Sequence, residues 1–523
     1  MSKNNSIEGK PLLYFTVFTG GMSTLAIEFT VSRILQTVYG TSNIVWANVI
    51  GLVLVFLSVG YFVGGRSADR NPSYKYFYTL ITLAGFCAIF FLLLSSVLIR
   101  QTANALASFN GTVLIGSFLG VIIALAIPIT ILGMVSPFAI RLAVDDVAKA
   151  GRVSGQIYAL STLGSLLGTW IPVLIVIPLA GSRMTAIIFG SILFIVGLFG
   201  VWRSNGQMAV SLLGLILIPT VWYWGFGPLK NRADAIFEAE SAYNYIQVIR
   251  QEQCNYLLLN EGVAFHSFYC DDGSLPSVSV WSSMLAAPYF YPSNDFEAPE
   301  KMLVIGLAGG TVPQQFLRVF PQLAVDGIEP DPEIIEVGKN FFALNDPRIQ
   351  SIVGDGRFEL NRAAGPYDVI TIDAYRVPYI PWHLTTTEFF SEVQTQLADD
   401  GVVAINVGRV PEDRRLVEAL TATMETVFPT VHTADIPGSL NTILYATNKP
   451  TDSNNLLQHL SQMPADADPL IPAVLTTVQS GLRPTVRSDI VFTDDVAPVE
   501  TIVDSLVLRF IFRSGLQGIL STN

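Results

Sequence analysis

The stretch MLVIGLAGG, residues 302–310, decides the fold of the second half of this 523-residue chain. Its first four residues are apolar and predict a buried strand, and a glycine-rich turn follows at once. A helix to about Phe320, a second strand over 323–328 and the acid Glu329 complete a βαβ unit of the kind that binds nucleotides. We therefore predict an α/β domain over residues 299–523, built on a doubly wound sheet.

The glycines of this turn give the predicted site its chemistry. Gly306, Gly309 and Gly310 let the backbone approach a ligand where a Cβ would clash, and the helix after them offers unpaired N–H groups. Their spacing differs from the dinucleotide pattern G-x-G-x-x-G, so the turn by itself is weak evidence. Glu329, about 20 residues further on, stands where a carboxylate can accept hydrogen bonds from both ribose hydroxyls.

Two more acids follow predicted strands. Asp355, next to Gly356, comes after the apolar pair at 352–353, and Asp373 ends the strand predicted over 367–372. Any one such acid is more often a helix cap. Three of them at the carboxyl ends of successive strands, together with the glycine turn, predict a ligand site at the rim of the sheet.

Composition and charge divide the chain into two halves. The chain is 51% hydrophobic and only 14% charged, which is too apolar for an ordinary soluble enzyme. Residues 1–230 hold 13 Lys and Arg against 5 Asp and Glu, whereas residues 231–523 hold 17 against 37. The acidic half would repel phosphate, which excludes a nucleic-acid binder built on a basic domain. Its many β-branched and aromatic residues exclude a disordered acidic tail.

Residues 1–230 are predicted to form a transmembrane domain of seven helices. Seven apolar runs each approach the ~20 residues that a helix needs to cross a bilayer. They cover residues 12–35, 44–64, 76–98, 112–134, 157–180, 183–202 and 208–226. The first run is too long for a removable signal peptide and lacks a small-residue cleavage site, so we expect it to stay in the membrane.

The loop charges predict the orientation of these helices. Nine Lys and Arg lie in the N-terminus and in the loops after the second, fourth and sixth spans, against two, Arg100 and Arg183, in the opposite loops. The nine are Lys3, Lys10, Arg66, Arg70, Lys75, Arg141, Lys149, Arg152 and Arg203. This bias places the N-terminus in the cytoplasm. With seven spans the residues after 230 lie outside the cytoplasm, and one missed segment would return them to it.

Three features of the membrane half have more than one interpretation. Glu28 and Arg33 in the first span either pair as a functional site, or Glu28 bonds a neighbouring helix while Arg33 reaches the membrane surface. Small residues recur at four-residue spacing from Gly151 to Gly168, which fits either packing inside the domain or a homodimer contact. The segment 64–70 resembles a loop of major-facilitator transporters, but seven spans are too few for that fold.

Two smaller elements are predicted around the α/β domain. Residues 231–298 form a small antiparallel β subdomain, with a hairpin turn at 260–262. Cys254 and Cys270 fall opposite each other across this hairpin and are predicted cross-strand neighbours. They either form a disulfide, in agreement with an oxidising compartment, or stay free thiols. At the other end, the run 506–520 predicts an amphipathic helix that lies on the membrane surface or caps the sheet.

Together these motifs resemble the spermidine synthases, aminopropyltransferases built on the class I methyltransferase (Rossmann-like) fold, in their membrane-fused form. The similar segments are 240–246, 306–310, 329–332, 346–348, 354–356, 367–370 and 493–500 in the acidic half, and 28–33, 64–70 and 158–164 in the membrane half. The resemblance implies a donor, either decarboxylated S-adenosylmethionine or S-adenosylmethionine itself. The four histidines show no metal-ligand spacing, so no metal is expected.

The resemblance also assigns roles to individual residues. Glu329 would hold the donor's ribose, Asp355 would bond the adenine amine, and Asp373 would orient the attacking amine or take its proton. An amine arrives as an ammonium and must lose a proton before it attacks the carbon beside the sulfonium, which suits a carboxylate. The glycines implied to line the donor site are Gly306, Gly309, Gly310 and Gly356.

The chain departs from this family on the acceptor side. Ala308 and Arg376 stand where the family has carboxylates. Phe265 replaces a glutamine, and Trp281 with the following serine replaces a Tyr-His pair. A site without these two carboxylates, and with a guanidinium added, attracts a dication such as putrescine less strongly. Coulomb's law gives a difference of several kcal/mol as an order of magnitude. Tyr375 and Arg376 are the predicted acceptor contacts, and they would better suit an anionic or neutral acceptor.

The sequence leaves three functional hypotheses. The first is a membrane-anchored aminopropyltransferase or methyltransferase that acts on a non-standard small-molecule acceptor. The second is a non-catalytic family member that binds a partner in a membrane complex, and the third and least favoured is a transporter of a polyamine-like solute. All three imply the lipid bilayer as a partner and no nucleic acid. A position outside the cytoplasm would separate the acidic half from the cytosolic supply of adenosylmethionine compounds.

Overall fold

The chain divides into two compact units in the computed structural model. The described residues are 4–39, 43–106, 112–205, 208–226, 229–230, 232–260, 262, 264–274, 278–375, 380–410, 413–486 and 488–506. The first unit, called here the helical unit, comprises Met1–Ala233, Glu238–Tyr245 and Asn260–Gly262. The second, called the sheet unit, comprises Asp234–Phe237, Ile246–Leu259 and Val263–Asn523.

Long apolar helices make up the helical unit. They are α1 (Asn4–Tyr39), α2 (Asn43–Arg70), α3 (Tyr74–Leu106), α4 (Thr112–Gly133), α5 (Val135–Ala143), α6 (Ala150–Ile171), α7 (Ile177–Arg203) and α8 (Leu213–Trp224). A π-helical turn, Pro172–Val176, joins α6 to α7. Inside α7, Gly181 has φ 78° and ψ 165°, which interrupts the helix because this conformation is not helical.

Five helical segments among the described residues are long and apolar enough to cross a membrane, judged by length and composition alone. They are Lys10–Thr37, Val45–Arg70, Tyr74–Ser95, Ser117–Ala143 and Val147–Arg203. The fifth covers two predicted spans, which meet near Gly181, and the last predicted span corresponds to the shorter apolar helix Ala209–Trp224. The count of seven spans stays a prediction.

Small residues of α6 pack against α1. A Cβ on Gly164 would overlap the Phe18 carbonyl, and a Cβ on Gly168 would overlap the Met22 carbonyl. The glycines therefore allow the two helix backbones to approach closely. At these two positions the small-residue stripe serves packing inside the unit, whereas Gly151 has open space around it.

Arg33 has Glu240 as its ion-pair partner. Its Nε lies 3.4 Å from the Glu240 carboxylate, and its guanidinium also donates to the Ser241 and Ala242 carbonyls. Glu240 in turn accepts the Ser182 N–H at 2.8 Å, directly after the break in α7. Among the described ion pairs, the predicted pairing of Arg33 with Glu28 is not found, so Arg33 joins the helices to residues 238–245 of the same unit.

The first strands form a small sheet in the order β1-β2-β3-β4. They are β1 (Ala235–Glu240), β2 (Tyr245–Gln251), β3 (Cys254–Leu259) and β4 (Phe265–Cys270). Strand β3 pairs antiparallel with both β2 and β4, and Cys254 stands opposite Cys270, joined to it by a disulfide. The predicted cross-strand register of the two cysteines is confirmed.

The described residues of the sheet unit also form an eight-stranded sheet, in the order β12-β10-β11-β9-β8-β5-β6-β7. Its strands are β5 (Lys301–Ile305), β6 (Ala324–Glu329), β7 (Ile349–Val353), β8 (Tyr367–Ile372), β9 (Leu397–Gly408), β10 (Thr430–Asp435), β11 (Asn441–Thr447) and β12 (Leu482–Arg483). Pairing is parallel from β9 to β7 and antiparallel from β9 to β12. The predicted α/β sheet is confirmed.

Helices cover both faces of this sheet. They are α9 (Val280–Met284), α10 (Thr311–Val319), α11 (Pro332–Phe341), α12 (Gly356–Leu360), α13 (Thr387–Thr395), α14 (Arg415–Glu425), α15 (Asn455–Ser461) and α16 (Leu470–Gly481). In β5, Met302 and Val304 belong to one buried cluster and Leu303 and Ile305 to the other, as the alternation of a strand buried on both faces requires. Residues 284–290, on the small-subdomain side of the predicted boundary at 298, lie in the first of these clusters.

The strand order creates a crevice beside β5. The chain goes from β5 to β6 and β7 on one side, then returns to β8 and β9 on the other side. Such a reversal leaves a gap at the carboxyl ends of the strands, where open α/β sheets bind ligands. At the far end of the chain, residues 499–506 are helical, and the rest of the predicted amphipathic helix, 507–520, lies outside the described residues.

Candidate active site

The glycine turn after β5 has a backbone that requires glycine. Gly306 and Gly310 have φ of 92° and 86°, in the left-handed region. A Cβ on Gly306 would stand 2.5 Å from the Asp373 carbonyl oxygen, because the turn packs directly on the end of β8. The predicted glycine turn therefore links two of the strand ends that border the crevice.

Glu329 lies beneath this turn. Its carboxylate, only 6% exposed, accepts the Ala308 N–H at 3.0 Å and the Asp331 N–H at 3.2 Å. Burial raises the pKa of Glu329 to about 7, although the two backbone hydrogen bonds lower it. Its partners in the described part of the chain are backbone N–H groups and no Lys or Arg, so the carboxylate keeps acceptor capacity for a ligand.

Strand β4 forms hydrogen bonds with the second part of the glycine turn, at Gly309 and Thr311. The Gly309 N–H donates to the Ser267 hydroxyl at 2.7 Å, and the Phe268 N–H donates to the Thr311 hydroxyl at 2.8 Å. Gly309 therefore contributes close packing to the predicted donor site, since its N–H is already bonded to a side chain. The sequence contained no local signal for this contact because β4 and the turn are about forty residues apart.

Asp355 caps a helix and faces a histidine. One of its oxygens accepts the N–H groups of Arg357 and Phe358 at 3.1 and 3.0 Å, at the start of α12. The other lies 3.1 Å from His383 Nε2. Gly356 begins the helix, and a Cβ on it would overlap the Ile305 side chain. Asp355 thus has the capping role expected of a lone acid, and its side chain is about half exposed at the sheet rim.

A cavity of about 580 Å³ opens on the other side of β5. Among the described residues, its walls come from the ends of β4, β8 and β9, the glycine turn, α9, and the segment before β11. Asp373, Tyr375 and Gly306 line it, whereas Glu329 and Asp355 do not. The predicted site residues therefore fall into two groups, one on each side of the glycine turn.

Two successive side-chain amides form hydrogen bonds that orient Asp373 in the cavity wall. Asn406 on β9 donates to Asp373 at 2.9 Å, and Asn441 on β11 donates to Asn406 at 2.8 Å. Burial raises the pKa of Asp373, while hydrogen bonds from Asn406 and Trp281 lower it in part. The result is a carboxylate of fixed orientation that is a stronger base than an exposed aspartate.

Tyr375 is turned toward the end of β9. Its hydroxyl accepts the Gly408 N–H, and burial raises its pKa well above the ordinary value. It lines the cavity and stays a neutral phenol at physiological pH. Its predicted contact with an acceptor stays a prediction. Arg376, the second predicted acceptor contact, lies outside the described residues.

Arg409, which was not predicted, supplies a positive charge at the cavity. Arg409 follows β9, lines the cavity, and has its Nε 3.2 Å from Asp435, too poorly aligned for a hydrogen bond. Arg414 and Arg483 pair with the same carboxylate at 2.7 and 3.2 Å. Three guanidiniums around one carboxylate leave this wall of the cavity positive.

The cavity contains one carboxylate and one guanidinium among its described lining residues, Asp373 and Arg409. Burial lowers the pKa of His266, another lining residue, to about 4, so its ring is neutral at pH 7. Three residues at the cavity were not predicted: Asn406, Arg409 and Asn441. They lie close together only because of the order of the strands in the sheet. Within the described residues no group of three or more His, Cys, Asp and Glu side chains could hold a metal ion.

Comparison with known proteins identifies the domain. Residues 284–456 match the spermine/spermidine synthase domain. The chain is 29% identical over 283 residues to a probable polyamine aminopropyl transferase of Bifidobacterium longum, covering 51% of this chain and 61% of that protein. It is 30% identical over 165 residues to the eEF1A lysine and N-terminal methyltransferase of Mus musculus, covering 29% of this chain and 23% of that protein. The chain thus spans less than two thirds of either relative.

A solved structure is also similar in part. The crystal structure of a probable spermidine synthase from Corynebacterium glutamicum aligns with a TM-score of 0.38 at 20% identity, over 49% of this chain and 98% of that one. The likeness depends on the matched domain and on the polyamine aminopropyl transferase similarity. On these two findings, residues 284–456 match a spermine/spermidine synthase domain, and the chain is similar to the spermidine synthases.

Proposed function

We propose that this chain is a membrane-anchored transferase that moves an aminopropyl group from decarboxylated S-adenosylmethionine to an acceptor that is not a diamine. Methyl transfer from S-adenosylmethionine is the second candidate, favoured by the similarity to a methyltransferase over 165 residues. The similarity to spermidine synthases supports an adenosylmethionine-type donor. The residues of this chain supply the rest of the argument.

The donor would bind on the β6 and β7 side of the glycine turn. Glu329 has free acceptor capacity beneath the turn, which suits the ribose hydroxyls. Asp355 has an oxygen at the rim, within reach of His383, which suits the adenine amine. Gly306 lets the turn pack on the Asp373 carbonyl, which would keep the donor next to Asp373.

The reaction needs a base on the cavity side, and Asp373 fits that role. The acceptor nitrogen's lone pair forms a bond to the carbon beside the sulfonium. The carbon–sulfur bond breaks, its electron pair stays on sulfur, and a neutral thioether leaves. Asp373 takes the proton that the nitrogen must lose, and Asn406 keeps the carboxylate oriented toward the cavity.

One observation carries the proposal about the acceptor: the described residues that line the cavity include one carboxylate, Asp373, and one arginine, Arg409. A diamine arrives with two ammonium groups. Asp373 can attract one of them, but the second would meet Arg409 and the positive cluster around Asp435. In a partly buried cavity, like charges repel by about several kcal/mol. An acceptor with at most one cationic group avoids this cost.

A calorimetric titration tests the donor half of the proposal. The full chain, in phosphatidylcholine nanodiscs, is titrated with methylthioadenosine and with S-adenosylmethionine. We expect binding of at least one, weakened at least about tenfold in Glu329→Gln. Binding of neither nucleoside to the folded chain would leave the second hypothesis, a non-catalytic assembly subunit, which the occupied Gly309 N–H favours.

A matched pair of variants tests the acceptor half. Arg409 and Arg483 both pair with Asp435, but only Arg409 of the two lines the cavity. We expect Arg409→Met to improve transfer to putrescine by about tenfold, the effect of removing one repulsive charge in a partly buried site. Arg483→Met should leave it unchanged. Equal effects of the two changes would show that Arg409 does not select the acceptor.

The proposed membrane anchor is supported by the surface of the helical unit. Large apolar side chains of α2 and α8 are more than half exposed, among them Leu54, Phe62, Ile218 and Trp222. Such apolar surface is unfavourable in water and suits lipid. The lipid bilayer is thus a proposed partner. Recovery of the chain from carbonate-washed membranes is the expected result, and release into the wash would contradict it.

A further inference from the structure

The cavity next to Asp373 has an apolar side that a short diamine would not need. This side, called here the apolar pocket, is lined by Val410, Leu416, Leu440, Val503 and Leu506. The cavity volume of about 580 Å³ lies within the ~300–1,000 Å³ of pockets that hold small organic ligands. The polar groups converge instead on Asp373, through Asn406 and Asn441. The cavity therefore offers one polar anchor and a large apolar remainder.

The apolar pocket is built on fixed elements of the sheet unit. Leu416 stands in α14, and Val503 and Leu506 stand in the helix 499–506. These three side chains belong to one buried cluster of the large sheet. Arg415 Nη2 donates to the Ser505 hydroxyl at 2.8 Å, which fastens the helix 499–506 to α14. The apolar pocket is thus a preformed wall of the cavity.

The charges around the apolar pocket exclude a second cation. Arg409 precedes Val410 in the chain and lines the cavity, and Asp435 behind it already pairs with three arginines. A hydrocarbon chain has no polar group to desolvate in such a pocket, and each CH₂ that leaves water favours binding. A second ammonium would lose its hydration and find no described carboxylate.

We propose that the acceptor is an amine carried on a hydrocarbon chain, with the amine at Asp373 and the chain in the apolar pocket. This names the acceptor class of the proposed transferase and rests on that function. The same chemistry is presented by an alkylamine dissolved in water and by a long-chain amine held in a membrane. Both kinds of amine share a nucleophilic nitrogen, a single positive charge in the protonated form and an apolar chain.

Three probes of equal length test the proposal: octylamine, diaminooctane and aminooctanoate. Each is titrated into the full chain in phosphatidylcholine nanodiscs saturated with methylthioadenosine, and empty nanodiscs correct for partitioning. We expect octylamine to bind at least about tenfold more tightly than diaminooctane, since the second ammonium of the diamine must be desolvated near Arg409. Tighter binding of diaminooctane, or of aminooctanoate through its carboxylate, would overturn the proposal.

A pair of leucine variants supplies the matched control. Leu440 and Leu457 are each 47% exposed, but Leu440 lines the cavity whereas Leu457 lies on α15 away from it. Leu440→Asn should weaken octylamine binding by about tenfold, as expected for loss of a partly buried apolar contact, and Leu457→Asn by less than about twofold. Equal effects of the two changes would place the alkyl chain elsewhere.

The outcomes separate this inference from the proposed function. If octylamine binds in a way that depends on Leu440 but methylthioadenosine does not bind, the apolar pocket is supported and the proposed transferase function is contradicted. If methylthioadenosine binds but octylamine binds no more tightly than diaminooctane, the proposed transferase function is supported and the alkylamine acceptor is contradicted. Octadecylamine placed in the nanodiscs distinguishes the sources: transfer to it from labelled donor indicates a membrane-held acceptor, and transfer to octylamine alone indicates a dissolved one.

Discussion

Glu329 shows how one buried carboxylate couples pH to ligand binding. Its pKa of about 7 lies above the ordinary 4.5, because burial disfavours the charged form. Ionising it in the folded chain is therefore unfavourable, and its contribution to the free energy of unfolding falls as the pH rises from about 4.5 through about 7. Ribose hydroxyls prefer the ionised carboxylate, so binding should change with pH in the opposite sense.

We predict that the affinity for methylthioadenosine rises between pH 6 and pH 8, the interval that brackets the pKa of about 7. Above this pKa the carboxylate accepts both hydroxyls, whereas below it the carboxyl group must keep one proton. Glu329→Gln should bind at least about tenfold more weakly, with no pH dependence over this interval. Titration calorimetry measures both effects. The exposed Glu300→Gln is the control, and an unchanged pH profile in Glu329→Gln would refute the assignment.

Asn406 is a positioning residue for the proposed base. Its amide donates to Asp373 and lowers the pKa of that carboxyl group. Asn406→Leu should therefore raise the pKa of Asp373 and move the acid limb of the kcat/KM profile to higher pH, with a decrease in kcat of about tenfold or more. The pH–rate profile is the measurement.

Asn455 offers a control of equal burial. Asn406 and Asn455 are 6% and 7% exposed, and Asn455 donates to the Phe290 carbonyl away from the cavity. Asn455→Leu should destabilise the fold without moving the acid limb. A shift of the acid limb in both variants would mean that the effect of Asn406 is only structural.

At the scale of elements, the turn between β5 and α10 is held by close packing. Gly306→Ala would force a positive φ on alanine and press its Cβ against the Asp373 carbonyl, at 2.5 Å. We expect a loss of about 1–3 kcal/mol in the free energy of unfolding and a loss of nucleoside binding. Gly438→Ala, also at positive φ but with open space around the Cβ, should cost only about 1 kcal/mol. Denaturant unfolding of both variants distinguishes packing from backbone conformation.

The pairing of β3 and β4 gives a second test at this scale. Cys254 and Cys270 are joined, and Cys87 is the free, buried cysteine among the described residues. Alkylation of the denatured, unreduced chain should modify Cys87 alone, and prior reduction should expose all three, as mass spectrometry of the peptides would report. Full labelling of all three cysteines without reduction would show that the chain does not carry this disulfide.

At the scale of the whole molecule, the predicted orientation links the compartment to the proposed reaction. Nine loop cations against two predict a cytoplasmic N-terminus, and seven spans would place residues after 230 outside the cytoplasm. We predict that a reporter active only outside the cytoplasm gives signal when fused after residue 230, and that an N-terminal fusion gives none. The reverse result for the first fusion would mean an even number of spans, with the sheet unit next to the cytosolic donor supply.

Local pattern was enough to predict much of the fold. The apolar run and glycine turn at 302–310, the acids Glu329, Asp355 and Asp373, and the opposition of Cys254 and Cys270 follow from period and spacing within short segments. The structure places these features at strand ends and in the predicted register. Strands and turns of this kind depend on neighbours in the chain, so the sequence reveals them directly.

Only the tertiary structure decided which of these groups share a cavity. Asp373, Asn406 and Asn441 come together because β8, β9 and β11 lie side by side, although they are tens of residues apart in the chain. The same strand order puts Glu329 and Asp355 on the other side of the glycine turn and brings Arg409 to the cavity. Pairing between strands that are distant in the chain determines these contacts. The local hydrophobic pattern of the sequence does not show which strands will pair.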